Sequence, residues 1–462
     1  MKKNDIVRLT VTDVTLEGDG VGRHEGMAVF VPGCAVGDEI DCRIVKVLKN
    51  RAYGIIEKMI TASPDREDRG CVVKKTCGGC VFRNISYEAE LKIKQAAVKN
   101  AFVRMGGFDI CEGENMLPIL GCKFTDRYRN KAQYPTAADK SGKAVCGFYA
   151  KRSHRIVPCG DCLLQPEIFG KITSEILRLS NEENIPPYNE ETGDGFLRHV
   201  YLRQGYHSRE IMVCLTVKNE DKKYAEKLKK LNDILPKKFP EIRSILLNIN
   251  PEKTNVILGK KYINIWGENF ITDEMCGNKI EISPAAFYQV NTAQAERLYE
   301  TAAEFAEIKG NEDILDLYCG AGTIGLYFAK KGGASCHVTG AEIIPEAVEN
   351  AKKNAVANGI SNVDFICADA GEAAKILAEK RRTPDIIITD PPRKGCGGLT
   401  LESIVKMRPR RVVMVSCNPA TAARDCRYLA DNGYRLDRLR AVDMFPGAGH
   451  VECAVLMIRN DK

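Results

Sequence analysis

The chain carries Asp313-Ile314-Leu315-Asp316-Leu317-Tyr318-Cys319-Gly320-Ala321-Gly322-Thr323-Ile324-Gly325, an apolar run that ends in three closely spaced glycines. Its first half is typical of a buried strand, and its second half is typical of a tight turn that opens a helix. Similar apolar strands alternate with helical patterns downstream, and they cover residues 338–342, 363–367, 385–390 and 411–416. This alternation predicts a doubly wound parallel sheet, in which ligands bind beyond the carboxyl ends of the strands.

The glycine turn and the acid that follows it indicate a nucleotide-type cofactor. The turn fits G-x-G-x-x-G, and Glu342 follows Gly320 by about 20 residues, where a carboxylate can bind ribose hydroxyls. Nicotinamide-dependent dehydrogenases share this pattern, so they are the alternative. The motif Asp390-Pro391-Pro392-Arg393 at a strand end argues against them, because it looks like the substrate-side motif of adenosylmethionine-dependent methyltransferases that act on bases.

Two further motifs place a thiol and a carboxylate in the same region of the fold. Ser416-Cys417-Asn418-Pro419 ends a predicted strand, and Gly449-His450-Val451-Glu452 follows it. Together they indicate covalent catalysis, with Cys417 as the nucleophile and Glu452 as the base. We expect a lowered pKa for the Cys417 thiol at the strand end, and a pKa of Glu452 that burial brings nearer neutrality. Cys319 competes as a nucleophile, but its position faces the cofactor.

Length and charge restrict the class of protein. A chain of 462 residues is expected to form two or three domains, and it contains no apolar run typical of a signal peptide or a transmembrane span. We therefore expect a cytoplasmic protein. The net charge of +7 is modest, but bases outnumber acids between positions 121 and 158. This excess favours a polyanionic partner, and the alternative is a solvated basic face without a partner.

Three of the nineteen cysteines form a compact group. Cys71, Cys77 and Cys80 follow the spacing C-x5-C-x2-C, and Cys159 and Cys162 are candidates for a fourth ligand. Thiolates at this spacing suit zinc or an iron–sulfur cluster, and the residue types alone do not distinguish the two. The alternative is three unrelated buried cysteines.

The remaining patterns suggest two domains before the catalytic one. Residues 1–60 alternate apolar and polar side chains, which predicts a small OB-like β-barrel that binds RNA, or an SH3-like module without that role. Residues 61–272 are expected to form a central α+β domain with the cysteine group and a helix over 87–104. Three of its residues either contact RNA or lie on an exposed strand face: Arg198, His199 and Arg203. Residues 273–462 form the predicted catalytic domain.

With these motifs, nearly the whole chain resembles the RumA-type RNA (uracil-5-)-methyltransferases, which carry a TRAM domain and an iron–sulfur cluster. The segment Ser283-Pro284-Ala285-Ala286-Phe287-Tyr288-Gln289-Val290-Asn291 belongs to the same pattern. The resemblance implies a TRAM domain at residues 1–60, S-adenosyl-L-methionine as methyl donor, and a [4Fe–4S] cluster. Its ligands would be Cys71, Cys77, Cys80 and Cys162, the last preferred over Cys159 because Ile156-Val157 precedes it as in the family.

The resemblance also implies roles for individual residues. Those that would contact the cofactor are Gln289, Tyr318, Gly320, Glu342, Asp369 and Asp390. Asp369 is a plausible partner for the adenine amine or a helix cap, and Tyr318 could be a buried aromatic. His450 would orient Glu452 or serve only the structure. One departure concerns Phe445-Pro446, which the family often follows with histidine and this chain follows with Gly447.

The expected reaction is C5-methylation of a uridine in 23S ribosomal RNA through a covalent adduct between Cys417 and C6 of the uracil. The alternative substrate is the T-loop uridine of transfer RNA. Two other classes of function are an RNA-binding module with an inactive methyltransferase half and a small-molecule oxidoreductase. Intact Cys417 and Glu452 argue against the first, and Asp390-Pro391-Pro392 argues against the second. A monomer that does not bind membranes is expected.

Overall fold

The computed structural model describes residues 1–460 and contains two compact units. The first consists of Met1–Lys74, Gly79–Thr125 and the stretch that begins at Ile388, and the second of Lys75–Gly78 and Asp126–Ile387. Within the described residues, every helix is too short or too polar to cross a lipid bilayer.

The N-terminal part of the first unit is a six-stranded sheet. Its strands are β1 (Ile6–Thr10), β2 (Asp13–Val14), β3 (Asp19–His24), β4 (Met27–Pro32), β5 (Glu39–Val47) and β6 (Arg51–Thr61). Their order is β1-β5-β6-β4-β3-β2. Because side chains alternate between the two faces of a strand, every second residue of β1 is buried, including Val7 and Leu9. These side chains pack with Val29, Ile40 and Ile44 in one hydrophobic core.

The same unit continues with one helix and one strand. These are α1 (Tyr87–Arg104) and β7 (Met116–Leu120), and α1 has the bounds that the sequence predicted. The Ser86 side chain caps the helix by accepting a hydrogen bond of 3.2 Å from the backbone N–H of Ala89.

The second unit begins with a seven-stranded sheet and three helices. The strands are β8 (Lys131–Ala138), β9 (Ala144–Tyr149), β10 (Ile156–Pro158), β11 (Leu197–Gln204), β12 (Ile211–Val217), β13 (Ile242–Ile249) and β14 (Lys261–Gly267). The helices are α2 (Glu167–Glu182), α3 (Lys222–Lys229) and α4 (Leu231–Lys238). The order is β10-β9-β8-β11-β12-β13-β14, and both faces of β11 and β12 are buried.

A short hairpin and an alternating α/β region follow in the second unit. The hairpin is formed by β15 (Ile271–Met275) and β16 (Asn278–Ile282). The next elements are α5 (Thr292–Ala306), β17 (Asp313–Leu317), α6 (Thr323–Gly332), β18 (His337–Glu342), α7 (Pro345–Ala357), β19 (Val363–Cys367) and α8 (Ala370–Glu379). The central strand β18 pairs in parallel with β17 and with β19, as the sequence alternation predicted.

The last elements return the chain to the first unit. They are β20 (Ile386–Thr389), α9 (Gly398–Met407), β21 (Arg411–Ser416), α10 (Pro419–Asp431), β22 (Tyr434–Val442) and β23 (Glu452–Arg459). Strand β23 pairs antiparallel with both β21 and β22. An all-parallel sheet was therefore the wrong expectation here, because the loop 443–451 turns the chain back as a hairpin instead of crossing over through a helix.

The fold predicts a strong effect of replacing Asp38, whose side chain is fully buried. Its two oxygens accept hydrogen bonds from Nε and one terminal nitrogen of the Arg66 guanidinium and from the backbone N–H groups of Ala35 and Ser63, at 2.6–3.0 Å. Asp38→Ala would leave these donors without an acceptor, so the free energy of unfolding should fall by about 3 kcal/mol in urea titrations.

The matched control is Asp41→Ala in the same sheet, since Asp41 pairs with the mostly exposed Arg8 at 2.7 Å. This change should cost less than about 1 kcal/mol. Equal losses for the two variants would contradict the importance of the buried carboxylate.

Candidate active site

Cys417 and Glu452 lie side by side at the ends of two neighbouring strands. Ser416, the last residue of β21, pairs with Cys453 of the antiparallel strand β23. Continued by one residue, this register brings Cys417 opposite Glu452, and the Glu452 carboxylate is close enough to raise the pKa of the Cys417 thiol. The Glu452 side chain is buried, and Cys417 is partly buried.

Burial brings the pKa values of two carboxyl groups of this region close to neutral pH. It raises the pKa of Glu452 from its ordinary value near 4.5 to about 8, and the neighbouring Asp390 adds to the increase. Burial also raises the pKa of Asp390 to about 7. Removing a carboxylate from water disfavours its charged form, so Glu452 can hold and release a proton in the physiological range.

The predicted lowering of the Cys417 pKa is wrong for this structure. Burial is the largest cause of a raised pKa of the thiol, and the Glu452 and Asp390 carboxylates raise it further. Arg393 lowers the pKa by a smaller amount. The prediction considered only the strand end and not the two acids, which approach from other segments of the chain.

Polar side chains fix the segments on either side of Cys417. Asn418 caps α10 by accepting a hydrogen bond of 3.1 Å from the Ala420 N–H, and its amide donates to the Arg393 carbonyl at 3.0 Å. A guanidinium nitrogen of Arg393 lies 3.4 Å from Nε2 of His450. The thiol thus sits beside the N-terminus of a helix, and a cation lies within its electrostatic reach.

In the second unit, the glycine turn has the backbone geometry of a ligand-binding loop. Gly320 and Gly322 have φ values of 54° and 81°, and Tyr318 adopts a left-handed φ of 64° although it is not glycine. A Cβ atom at Gly322 would lie 2.7 Å from the ring of Phe365, so no larger residue fits there. Positive φ at a tyrosine is unfavourable and is commonly found at functional sites. Burial keeps the neighbouring Cys319 protonated by raising its thiol pKa.

Two acids follow at the carboxyl ends of β18 and β19. Glu342 accepts hydrogen bonds from the backbone N–H of Gly320 at 3.2 Å and from those of Ile343 and Ile344 at 2.8 and 3.0 Å. Its carboxylate is therefore held against the glycine turn. Asp369 caps α8 by accepting a hydrogen bond of 2.9 Å from the N–H of Glu372, and its contact with the adenine amine stays a prediction.

The backbone around Gln289 is fixed by two residues to which the sequence analysis attached no such role. The amide of Asn130 donates to the Gln289 carbonyl at 2.9 Å. The fully buried Arg203 donates to the carbonyls of Ser283 and Ala286 at 3.1 and 2.8 Å. Next to Gln289, the Phe287 ring is 73% exposed. A charged side chain within an apolar strand was the signal that could have revealed the role of Arg203.

The two alternatives for Arg198, His199 and Arg203 are both wrong, because all three side chains are buried. Burial, reinforced by Arg198, lowers the pKa of His199 to about 4, so the imidazole is neutral. Strand β11 lies inside a seven-stranded sheet and is buried on both faces, so these side chains neither lie on an exposed face nor reach RNA.

The predicted cluster has no counterpart among residues 1–460, where no group of three or more histidine, cysteine or acidic side chains could hold a metal ion. None of the nineteen cysteines is in a disulfide. The [4Fe–4S] cluster on Cys71, Cys77, Cys80 and Cys162 is therefore not shown by this structure.

Comparisons with known proteins agree with this geometry. The sequence model of the tRNA (uracil-5-)-methyltransferase family matches residues 197–460, and that of the TRAM domain matches residues 2–56. The TRAM match confirms the predicted N-terminal domain.

The chain is 41% identical to an uncharacterized RNA methyltransferase of Halalkalibacterium halodurans, covering 100% of this chain and 98% of the relative. A relative from Clostridium tetani is 40% identical over 99% and 97% of the two chains. Among solved structures, the Pyrococcus abyssi tRNA (uracil-54, C5)-methyltransferase in complex with S-adenosyl-L-homocysteine has a TM-score of 0.76 and 27% identity, covering 98% of this chain and 100% of that one. The chain belongs to the tRNA (uracil-5-)-methyltransferase family and is an S-adenosylmethionine-dependent RNA methyltransferase.

Proposed function

We propose that the protein methylates C5 of a uridine in RNA through a covalent adduct between Cys417 and the uracil ring. The observation that carries this proposal is a partly buried thiol and a buried carboxylate at the ends of β21 and β23, close enough for the carboxylate to raise the pKa of the thiol. A nucleophile beside a group that can accept a proton is what addition followed by elimination requires.

The thiol makes an unreactive carbon nucleophilic. The Cys417 thiolate adds to C6 of uracil and forms the S–C6 bond, while the electron pair of the C5=C6 bond moves to C5 and O4 as an enolate. C5 then bonds to the donated methyl group, and S-adenosylhomocysteine is the leaving group. Because burial and two acids raise the thiol pKa, the thiolate forms by losing its proton to water, which reaches the partly exposed Cys417, and Arg393 favours the charged form.

The carboxylate completes the reaction. After methyl transfer, C5 carries both the methyl group and its original proton, and Glu452 takes that proton. The C5–H electron pair reforms the C5=C6 bond, the C6–S bond breaks, and Cys417 leaves as a thiolate. A Glu452 pKa of about 8 makes the carboxylate a stronger base than an exposed glutamate.

Asp390 acts together with Cys417 and Glu452 in this proposal, and it is also one of the predicted cofactor contacts. It lies close enough to raise the pKa of both Cys417 and Glu452. We propose that it raises the proton affinity of Glu452, since two buried carboxylates in proximity disfavour double ionisation, and that the ionised form of Glu452 takes the C5 proton.

The second unit supplies the donor site in this proposal. Bound S-adenosylmethionine supplies an electrophilic methyl group. The remaining predicted contacts to it are Gln289, Tyr318, Gly320, Glu342 and Asp369. The Glu342 carboxylate at the carboxyl end of β18 suits ribose hydroxyls, and the open space around Gly320 lets a ligand approach the backbone.

The RNA is proposed to be 23S ribosomal RNA, on the basis of the resemblance to TRAM-containing enzymes. Five exposed bases of the second unit suit a phosphate backbone: Lys140, Lys143, Lys151, Arg152 and Arg155. The exposed Phe287 can stack on an unpaired base. The second candidate is a transfer RNA uridine, which the similarity to the Pyrococcus abyssi enzyme favours.

Three expectations stay predictions. They are the [4Fe–4S] cluster on Cys71, Cys77, Cys80 and Cys162, the cytoplasmic location, and the monomeric state. None of the steps above depends on the cluster.

The nucleophile is tested with RNA transcribed with 5-fluorouridine, which cannot lose its C5 substituent as a proton and therefore traps the adduct. The unaltered protein should give a species that survives denaturing electrophoresis. Cys417→Ala should abolish it and should reduce methylation by at least about 10³-fold. Cys319→Ala is the matched control and should retain the adduct. An adduct that survives in Cys417→Ala would reassign the nucleophile.

The proton on Glu452 is tested through the pH dependence of stability. Folding raises the pKa of Glu452 from 4.5 to about 8. The contribution of this group to the free energy of unfolding is therefore fully present below pH 4.5, and it is lost as the pH rises towards 8. Glu452→Gln has no ionisable group at this position. Its free energy of unfolding minus that of the unaltered protein should therefore increase, as the pH rises through this window, by up to about 1.4 kcal/mol per pH unit.

Urea titrations at about pH 5.5 and about pH 8 measure this difference. Glu402→Gln on the exposed face of α9 is the control and should give the same difference at both pH values. A Glu452→Gln difference that does not change with pH would show that the carboxyl group ionises normally.

The substrate is tested by supplying radiolabelled methyl donor with unmodified transcripts of 23S ribosomal RNA and of transfer RNA. We expect label in the ribosomal transcript, recovered as 5-methyluridine after nucleoside digestion. Label in transfer RNA alone would select the second candidate. Label in any nucleoside other than 5-methyluridine would contradict the proposed chemistry.

A further inference from the structure

A buried lysine of the first unit has all its hydrogen-bonding capacity satisfied by acids and by one loop carbonyl. The Lys94 side chain, on α1, is 0% exposed. Its Nζ donates to Glu90 Oε1 at 2.7 Å, to Asp443 Oδ1 at 2.7 Å and to the Phe445 carbonyl at 3.0 Å. An ammonium group has three donors, so none is left over.

The two carboxylates in turn bind the backbone of the loop 443–451. Asp443 accepts from the N–H of Phe445 at 3.0 Å, and Glu90 accepts from the N–H of Gly447 at 2.6 Å. Their remaining oxygens accept from the Tyr87 hydroxyl and from Arg69, at 2.8 and 2.7 Å. The positive charges of Lys94 and Arg69 thus balance the negative charges of the two carboxylates. The carboxylates bind the N–H groups of alternate loop residues, Phe445 and Gly447.

This loop leads directly to the proposed base. Val442, the last residue of β22, pairs with Glu452, the first residue of β23, so the loop begins and ends beside Glu452. The ring of Phe445 packs edge-on against His450, with ring centroids 6.1 Å apart. A displacement of Phe445 therefore reaches His450 and the strand end that carries Glu452.

Other contacts close the opposite side of the loop. The carbonyl of Gly447 accepts from the N–H groups of Val81 and Phe82, at 2.8 and 3.1 Å. A Cβ atom at Gly449 would lie 1.8 Å from the carbonyl oxygen of Leu16. Since backbone packs against backbone here, the loop has little room to move while the charged groups of α1 hold it.

Buried charge networks cost desolvation, and apolar residues of similar volume often replace them without loss of stability. An apolar residue cannot, however, bind the Phe445 carbonyl or keep the two carboxylates aimed at loop N–H groups. The specific contribution of Lys94 is therefore to the geometry of the loop, which apolar packing would leave less defined.

We propose that Lys94, acting through Glu90 and Asp443, is a positioning residue that sets Glu452 for removal of the C5 proton. The inference rests on the proposed function, because it assumes that Glu452 is the base and Cys417 the nucleophile. Loss of Lys94 then slows the final elimination more than thiol addition or methyl transfer.

The experiment replaces Lys94 with methionine, which keeps most of the volume and removes the charge. The substrate is the unmodified transcript, of ribosomal or of transfer RNA, that the unaltered protein methylates. Turnover should fall by between about 10- and 100-fold, with KM values for RNA and donor within about twofold, because a small misplacement of a reacting group has effects of this size. The decisive readout is the methylated protein–RNA adduct on ordinary uridine, which should accumulate in Lys94→Met during turnover.

Lys99→Met is the matched control, since Lys99 lies on the same helix and forms a partly exposed pair with Glu112 at 2.9 Å. It should turn over normally without accumulating adduct. Tyr87→Phe removes a single hydroxyl from the same network and should give a smaller accumulation, so the inference can be tested even where Lys94→Met does not fold.

A slower Lys94→Met without accumulated adduct, or an equal loss of trapping on 5-fluorouridine RNA, would overturn the positioning role. Failure of the unaltered protein to trap 5-fluorouridine RNA is a different result, because it would overturn the proposed function itself.

Discussion

Exclusion of water from one strand end is the constraint on which the rest of the structure depends. A thiol and two carboxyl groups meet there, and burial raises the pKa of all three. In water the acids would be charged and weakly basic, whereas in this site a pKa of about 8 makes the ionised Glu452 a stronger base. A nucleophile and a proton acceptor of suitable pKa can act together here because the stability of the fold offsets the free energy of burying them.

The supporting elements come from distant parts of the chain. The loop 443–451 is held by α1 and by the segment that includes Val81 and Phe82, and Leu16, in the turn between β2 and β3, lies against Gly449. The TRAM domain is therefore packed against the loop that precedes the proposed base. This contact leaves little room at Gly449, in the loop that leads to the strand end carrying Glu452.

Much of this organisation could be predicted from local patterns. The alternation of apolar strands and helices predicted β17 to β19, and residues 87–104 and 411–416 were predicted with the bounds that the structure has. Long-range effects could not be predicted in this way. Lys94 contacts Asp443 across 349 positions, and the acids that raise the pKa of Cys417 come from other strands. The burial of Arg203 likewise depends on sheet neighbours that no local pattern identifies.

The central claim is that a thiol adds to C6 so that C5 can accept a methyl group and then lose its proton. Release of tritium from RNA labelled at C5 of uridine tests this directly. The account predicts that one tritium atom reaches water for each methyl group transferred, and that Glu452→Gln slows the release. Methyl groups incorporated while tritium stays on the ring would contradict the account.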